Sequence, residues 1–276
     1  MTPAKWGDLG VRTASAVVLI PAVIACAWFG GIWFNGFVLL FAGLIAHEWT
    51  AMVHPKNLTQ YALHMGAALC GAVLPDLVGV GMALLVILGL ALVSIFMARK
   101  EDPDSSKWRY FGIFYVGFPA LAFILLRNDS HYGFAAILWV FLVVWSADTL
   151  AYFAGRIIGG PKLAPVISPK KTWAGLGGAV AGSALVSFIF AWVTQLNGMW
   201  TLALLAGCLD VVEQAGDLFE SSLKRFHGVK DSGRLIPGHG GVIDRVDGLI
   251  AVAVAAALIG VFHEQGANAA RGLLRW

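Results

Sequence analysis

Apolar residues in this chain come in runs too long for the buried helices of a water-soluble domain. A helix needs about 20 predominantly apolar residues to cross the hydrocarbon core of a bilayer. Nine stretches of that kind stand out, at 13–31, 36–52, 61–77, 78–98, 110–126, 132–154, 174–194, 199–221 and 246–262. With 59% hydrophobic and 13% charged residues over 276 positions, little is left for a separate soluble domain. The expected fold class is therefore an all-α polytopic integral membrane protein, one membrane domain over 1–276. Its first part, 1–130, is informative only through hydropathy, and 131–276 carries the polar segments. Two spans are weak: the second ends in His47 and Glu48, and the third carries His64 and stops near Pro75 and Asp76. A short or re-entrant helix at either place is the alternative.

The basic residues give an independent check, because Lys and Arg stay on the cytoplasmic side. With the N-terminus inside, sixteen of the 19 Lys and Arg fall on cytoplasmic loops, and only Arg127, Arg271 and Arg275 fall outside. Losing one helix would invert every later loop, so the expected topology is N-in and C-out with the polar segments facing the cytoplasm. The N-terminal basic start and apolar core could be taken for a cleaved leader, but the run is long enough to span and is taken as a retained first helix. Cys26, Cys70 and Cys208 lie singly in apolar runs, without the spacing of a zinc site, and are expected as buried thiols. No internal repeat or low-complexity linker is present. Gly178 and Gly182 form a GxxxG element in the seventh span, which suits close helix packing or a subunit interface.

Two polar, glycine-rich segments follow helices that carry acids, at 146–175 and 216–248. In the eighth span Asp210, Glu213, Asp217 and Glu220 are spaced 3, 4 and 3 residues apart, so they form one stripe along a helix. A carboxylate at mid-bilayer costs roughly 2.5–3.5 kcal/mol on insertion scales, which is tolerable only beside a cavity, a cation or a proton. For Asp210 and Glu213, simple helix packing is an equally good account. Asp217 differs, because it precedes a cationic loop whose far end brings Asp244 and Asp247. Carboxylates beside many Lys and Arg are the pattern expected where Mg2+ carries a polyphosphate. Lys224, Arg225, Lys230, Arg234 and Arg245 can contact phosphate oxygens, and Gly238, Gly240 and Gly241 let backbone amides approach closely. His239 can bond a phosphate, move a proton or simply stabilise the loop, and Pro237 sets the entry to the turn. In the other segment, Ser168, Lys170, Lys171 and Thr172 precede the seventh helix, whose N-terminal amides favour anions; an ordinary basic anchor is the alternative. Neither segment has a GxxxxGK[ST] P-loop or a dinucleotide fingerprint after a strand.

The run Ser221-x-Leu223-Lys224-Arg225, then Lys230-Asp231-x-Gly233 and Leu235-Ile236-Pro237-Gly238-His239-Gly240-Gly241-x-x-Asp244-Arg245-x-Asp247 resembles the signature of phosphatidate cytidylyltransferases. It spans 27 residues without a gap. Asp148-Thr149-x-Ala151-Tyr152, Gly155-Arg156 and Ser168-Pro169-Lys170-Lys171-Thr172 also look like segments of that family. One position departs, since Ala174 stands where the family usually has Glu. The resemblance implies cytidylyl transfer, in which a phosphatidate oxygen attacks the α-phosphorus of CTP and pyrophosphate leaves. It implies Mg2+, with a second cation left open. Asp217 and Asp244 are the first candidates for metal ligands, with Asp148, Asp231 and Asp247 behind them; Lys224 and His239 complete the catalytic set. CTP and phosphatidate are the expected partners in a bacterial inner membrane, with no nucleic acid and a homodimer left open. An ion- or proton-coupled transporter using the acidic stripe is the alternative. A CDP-alcohol phosphotransferase is disfavoured, because Asp247-Gly248 does not continue as DGxxAR.

Overall fold

In a computed structural model that describes residues 4–98, 103–233, 235, 240–265 and 268–276, each of the nine stretches lies within or largely overlaps a helix. These are α1 (Ala4–Phe29), α2 (Gly31–Val53), α3 (Leu58–Val78), α4 (Val80–Ala98), α5 (Pro103–Arg127), α6 (Gly133–Ile157), α7 (Trp173–Val193), α8 (Met199–Phe226) and α9 (Ile243–His263). Among the described residues seven of them, α2 to α7 and α9, are long and apolar enough to cross a membrane. The part of α1 whose side chains are described, Val17–Phe29, is apolar, and α8 carries the acidic stripe. Large side chains such as Ile32, Leu85, Phe96 and Trp192 point outward, as expected where lipid is the solvent.

Both weak stretches are full helices. α2 continues through His47 and Glu48 to Val53, and α3 runs past Pro75 to Gly79, which caps it at φ 88°. The helices also overrun the apolar stretches where terminus chemistry allows. α5 starts seven residues early on Pro103, a residue suited to the first helical turn. α8 ends on Lys224 and Arg225, which complement its dipole, and α9 starts with Asp244 in its first turn. Two elements escaped the hydropathy reading. A short antiparallel hairpin, β1 (Lys162–Ala164) and β2 (Ser168–Thr172), is the one sheet among the described residues, and a six-residue helix α10 (Ala269–Leu274) follows α9.

The chain packs as two compact units, Met1–Ile124 with His227–Arg245, and Leu125–Phe226 with Val246–Trp276. In the first, α2, α3 and α4 pack in sequence. Ala67, Cys70, Ile87, Ala91 and Ile113 form an apolar cluster there, and buried polar groups fasten the helices. Ser94 on α4 donates to Gln60 on α3 at 3.0 Å. Trp49 Nε1 on α2 donates to the Trp108 carbonyl on α5 at 3.1 Å. His64 sits between Thr50 Oγ1 (2.7 Å) and the Arg109 carbonyl (2.9 Å). The carbonyl can only accept, so Nε2 carries the proton, while the Thr50 hydroxyl donates to the Ala46 carbonyl at 2.8 Å.

In the second unit α6, α7 and α8 pack together. A buried relay ties them: Trp139 Nε1 donates to Ser187 Oγ at 2.7 Å, and Ser187 donates to the Leu202 carbonyl at 2.9 Å. Gly178 and Gly182 face α6, where a Cβ would run into Ala154 and Leu150. Their small size is used within the chain, so this element lends no support to a homodimer. α8 and α9 approach closely where Gly216 lies against the backbone of Asp247 and Gly248.

Candidate active site

The second unit gathers the first polar segment around Asp217. In β2 Lys170 is exposed while Lys171 is half-buried. Thr172 ends the strand and caps α7, accepting from Gly175 N at 3.0 Å. Lys171 reaches across to α8, where Nζ donates to Gln214 Oε1 at 2.9 Å and pairs with Asp217 Oδ2 at 2.6 Å. Ser221, one turn on, donates to the other Asp217 oxygen at 3.3 Å.

These groups border a cavity of about 330 Å³ whose walls come from α6 (Asp148, Tyr152, Arg156), β2 (Lys170, Lys171, Thr172), the start of α7, and α8 (Gln214, Asp217). Two carboxylates and three cations thus share one pocket. Arg156 bonds the Tyr152 hydroxyl, and its guanidinium also lies near that ring, 5.8 Å from the centroid. Gly155 and Gly175 let α6 and α7 close beneath the pocket, since a Cβ on either would press on Thr172 Oγ1. Asp247, on α9, lies near enough to Asp217 and Asp148 to feel their charges.

The rest of the acidic stripe is buried along α8 on either side of Asp217. Glu213 accepts from the Gln214 amide at 2.5 Å, and Glu220 pairs with Lys224 at 2.8 Å. Asp210 is fully buried, and neither of its oxygens has a hydrogen-bond partner among the described residues.

The second polar segment, from His227 to Arg245, belongs to the first unit. Asp244 Oδ2 accepts from Gly241 N (2.9 Å), Ser232 N (3.0 Å) and Ser232 Oγ (3.1 Å). Gly240, at φ 86°, occupies a conformation that suits glycine. Lys230, Asp231 and Arg245 are exposed. Arg234, Pro237, Gly238 and His239 lie outside the described residues.

A profile of the Cytidylyltransferase family matches residues 10–263. The chain belongs to that family. Among its relatives, the phosphatidate cytidylyltransferase of Brucella abortus biovar 1 is 40% identical over 265 residues, which cover 94% of this chain and 95% of the relative. The enzyme of the same name from Brucella suis biovar 1 is 39% identical with the same coverage. That of Staphylococcus epidermidis is 33% identical over 247 residues, 88% of this chain and 95% of the relative. Membership makes this cytidylyltransferase a nucleotidyltransferase enzyme, and the coupled-transporter alternative is not favoured.

Within the family frame, Asp148, Lys170, Lys171, Thr172 and Asp217 line one pocket. Lys224 is engaged by Glu220 one turn before it. Arg156, Tyr152 and Gln214 line the pocket although the sequence reading gave them no role; Tyr152 and Arg156 sit in family-like segments, and that was the available signal. Among the described residues no group of three or more His, Cys, Asp and Glu is arranged to hold a metal. Mg2+, however, is commonly held by only one or two carboxylates, with water and substrate phosphates completing its shell. Asp148 and Asp217, two hard-oxygen carboxylates lining one cationic pocket, fit that mode.

Proposed function

We propose that the chain transfers the cytidylyl group of CTP to phosphatidate, giving CDP-diacylglycerol and pyrophosphate in phospholipid biosynthesis, at the cytoplasmic face of a bacterial inner membrane. The observation that carries this reading is the pocket in which the Lys171–Asp217 pair joins β2 to α8, in a chain whose 221–247 run has the family signature.

The phosphate monoester oxygen of phosphatidate forms a bond to the α-phosphorus of CTP, and the bond from that phosphorus to the β-bridging oxygen breaks. Both reactants are anions, so their approach needs positive charge in place beforehand. Lys170, Lys171 and Arg156 supply it within the pocket. Asp217 and Asp148 would hold Mg2+, which when bound supplies further charge neutralisation at the phosphates, and Asp244 of the signature loop is also proposed as a metal ligand. Lys230, Arg234 and Arg245 are proposed as phosphate ligands from the signature loop, with His239 there as a proton carrier. The acyl chains of phosphatidate remain in lipid. Pyrophosphate release by purified protein in mixed micelles tests the reading. Release should require CTP and phosphatidate together, and protein that releases none with both present is not this enzyme.

The proposed topology counts α1 and α8 as crossings beside the seven apolar helices, nine in all, with the N-terminus inside. Asn128 and Val166 are both exposed, Val166 at 92%, at opposite ends of α6. In a background without Cys26, Cys70 and Cys208, single cysteines at these two positions should react with an impermeant thiol reagent from opposite sides of the membrane. Labelling from one side alone would remove the N-in, nine-crossing arrangement.

A further inference from the structure

Glu48 is the one acid on α2, only 2% exposed, in the part of the chain where hydropathy was the sole signal. A buried acid of this kind is costly unless its oxygens are filled with donors. They are filled from almost two hundred residues away. Oε1 accepts from Val242 N at 2.8 Å, and Oε2 accepts from Ile243 N at 2.9 Å. Both amides stand at the start of α9, where backbone donors have no partner within the helix. Glu48 thus caps α9 from another helix, and its charge lies at the positive end of the α9 dipole.

The third donor links this cap to the signature. Ser232 Oγ lies 3.0 Å from Glu48 Oε2 and 3.1 Å from Asp244 Oδ2, and the same residue's N–H donates to Asp244 at 3.0 Å. One hydroxyl proton therefore serves two carboxylates. Two signature glycines find their reason here too. A Cβ on Gly233 would strike the Glu48 carboxylate, and one on Gly241 would meet Ser232 Oγ, Glu48 Oε2 and Gly233 N together. Both ends of the signature loop close on Glu48, and Asp244 is fixed by what Glu48 holds.

We propose that Glu48 is a positioning residue for Asp244, holding Ser232 and the start of α9 so that the Asp244 carboxylate keeps one orientation. This rests on the cytidylyltransferase reading for its consequence in activity, but not for its consequence in the loop. Glu48→Gln keeps the size of the side chain while turning one acceptor into a donor that faces backbone or hydroxyl donors.

The expected result has three parts. Melting temperature and monodispersity in detergent stay near wild type. Tryptic cleavage after the exposed Lys230 becomes roughly 10-fold faster or more, because a hydrogen-bonded charge has been lost from the clamp. kcat falls roughly 10- to 100-fold with a smaller change in the KM for CTP, and Glu48→Gln with Asp244→Asn loses no more than Asp244→Asn alone. Additive losses in the double variant, or unchanged loop cleavage in a folded Glu48→Gln protein, would overturn the proposal. If Glu48→Gln does not fold, Ser232→Ala removes only the shared hydroxyl and is read the same way. Faster loop cleavage in protein whose wild type shows no cytidylyl transfer would uphold the clamp and sink the reading of function.

Discussion

Asp217→Asn should lower cytidylyl transfer by roughly 10²- to 10³-fold in kcat, the range found when one preorganised electrostatic partner is removed from a transition state. The amount of monodisperse protein extracted in detergent should stay the same or rise. Asn keeps the size of the side chain and can still accept from Ser221, so the loss falls on charge rather than shape. Folding is expected to tolerate the change because a charged carboxyl in a membrane helix carries an insertion cost that Asn reduces. Against this stands the loss of the Lys171 partner, but the pair is part exposed, with the Asp217 side chain 28% accessible, so its screened contribution is small. A merely structural Asp217 predicts the reverse pattern, with activity falling in step with the yield of folded protein. Specific activity of the purified variant across a Mg2+ titration decides between them. Near-normal activity with an unchanged Mg2+ dependence would take Asp217 out of the metal site.

The helices were legible because lipid leaves the backbone little choice. Runs of about 20 apolar residues must satisfy their amides internally, and hydropathy finds them without any tertiary information. The stripe on α8 was legible for a related reason, since the helical period alone puts Asp210, Glu213, Asp217 and Glu220 on one side. The β1–β2 hairpin was not. Its five-residue second strand, SPKKT, contains proline and two lysines and has no apolar alternation, so nothing in it competes with a loop reading. The hairpin matters, because it carries Lys171 to Gln214 of α8 and sets Lys170 in the wall of the same pocket.

The role of Glu48 was hidden more deeply. One acid at the end of a hydrophobic run looks like a weak span, and the donors that justify it are backbone amides, Val242 N and Ile243 N, which any sequence supplies. Only Gly233 and Gly241 hinted that something bulky must approach the loop, and glycines do not say what approaches. The loop's own signature was read from polar positions that the family resemblance carries. Its anchor lay in the half of the chain that offered no motif.

Lys171 offers the second large effect. Its ammonium spans Gln214 and Asp217 inside the pocket, and a charged donor already held there needs little reorganisation to meet a phosphate oxygen. Lys171→Met should therefore lower kcat/KM for CTP by roughly 10- to 100-fold, the value of a hydrogen bond to a charged group. Lys171→Arg should recover only part of that loss, since a planar guanidinium cannot occupy the site of a compact ammonium. Stability separates catalysis from packing. Lys171→Met alone leaves Asp217 without its cation, so melting temperature should fall slightly. Adding Asp217→Asn removes the orphaned charge and should restore melting temperature toward wild type. A packing role for the pair predicts that activity returns with stability in the double variant. A role at the phosphates predicts stable protein that remains inactive, because the pocket has then lost both the cation and the carboxylate that the reaction uses.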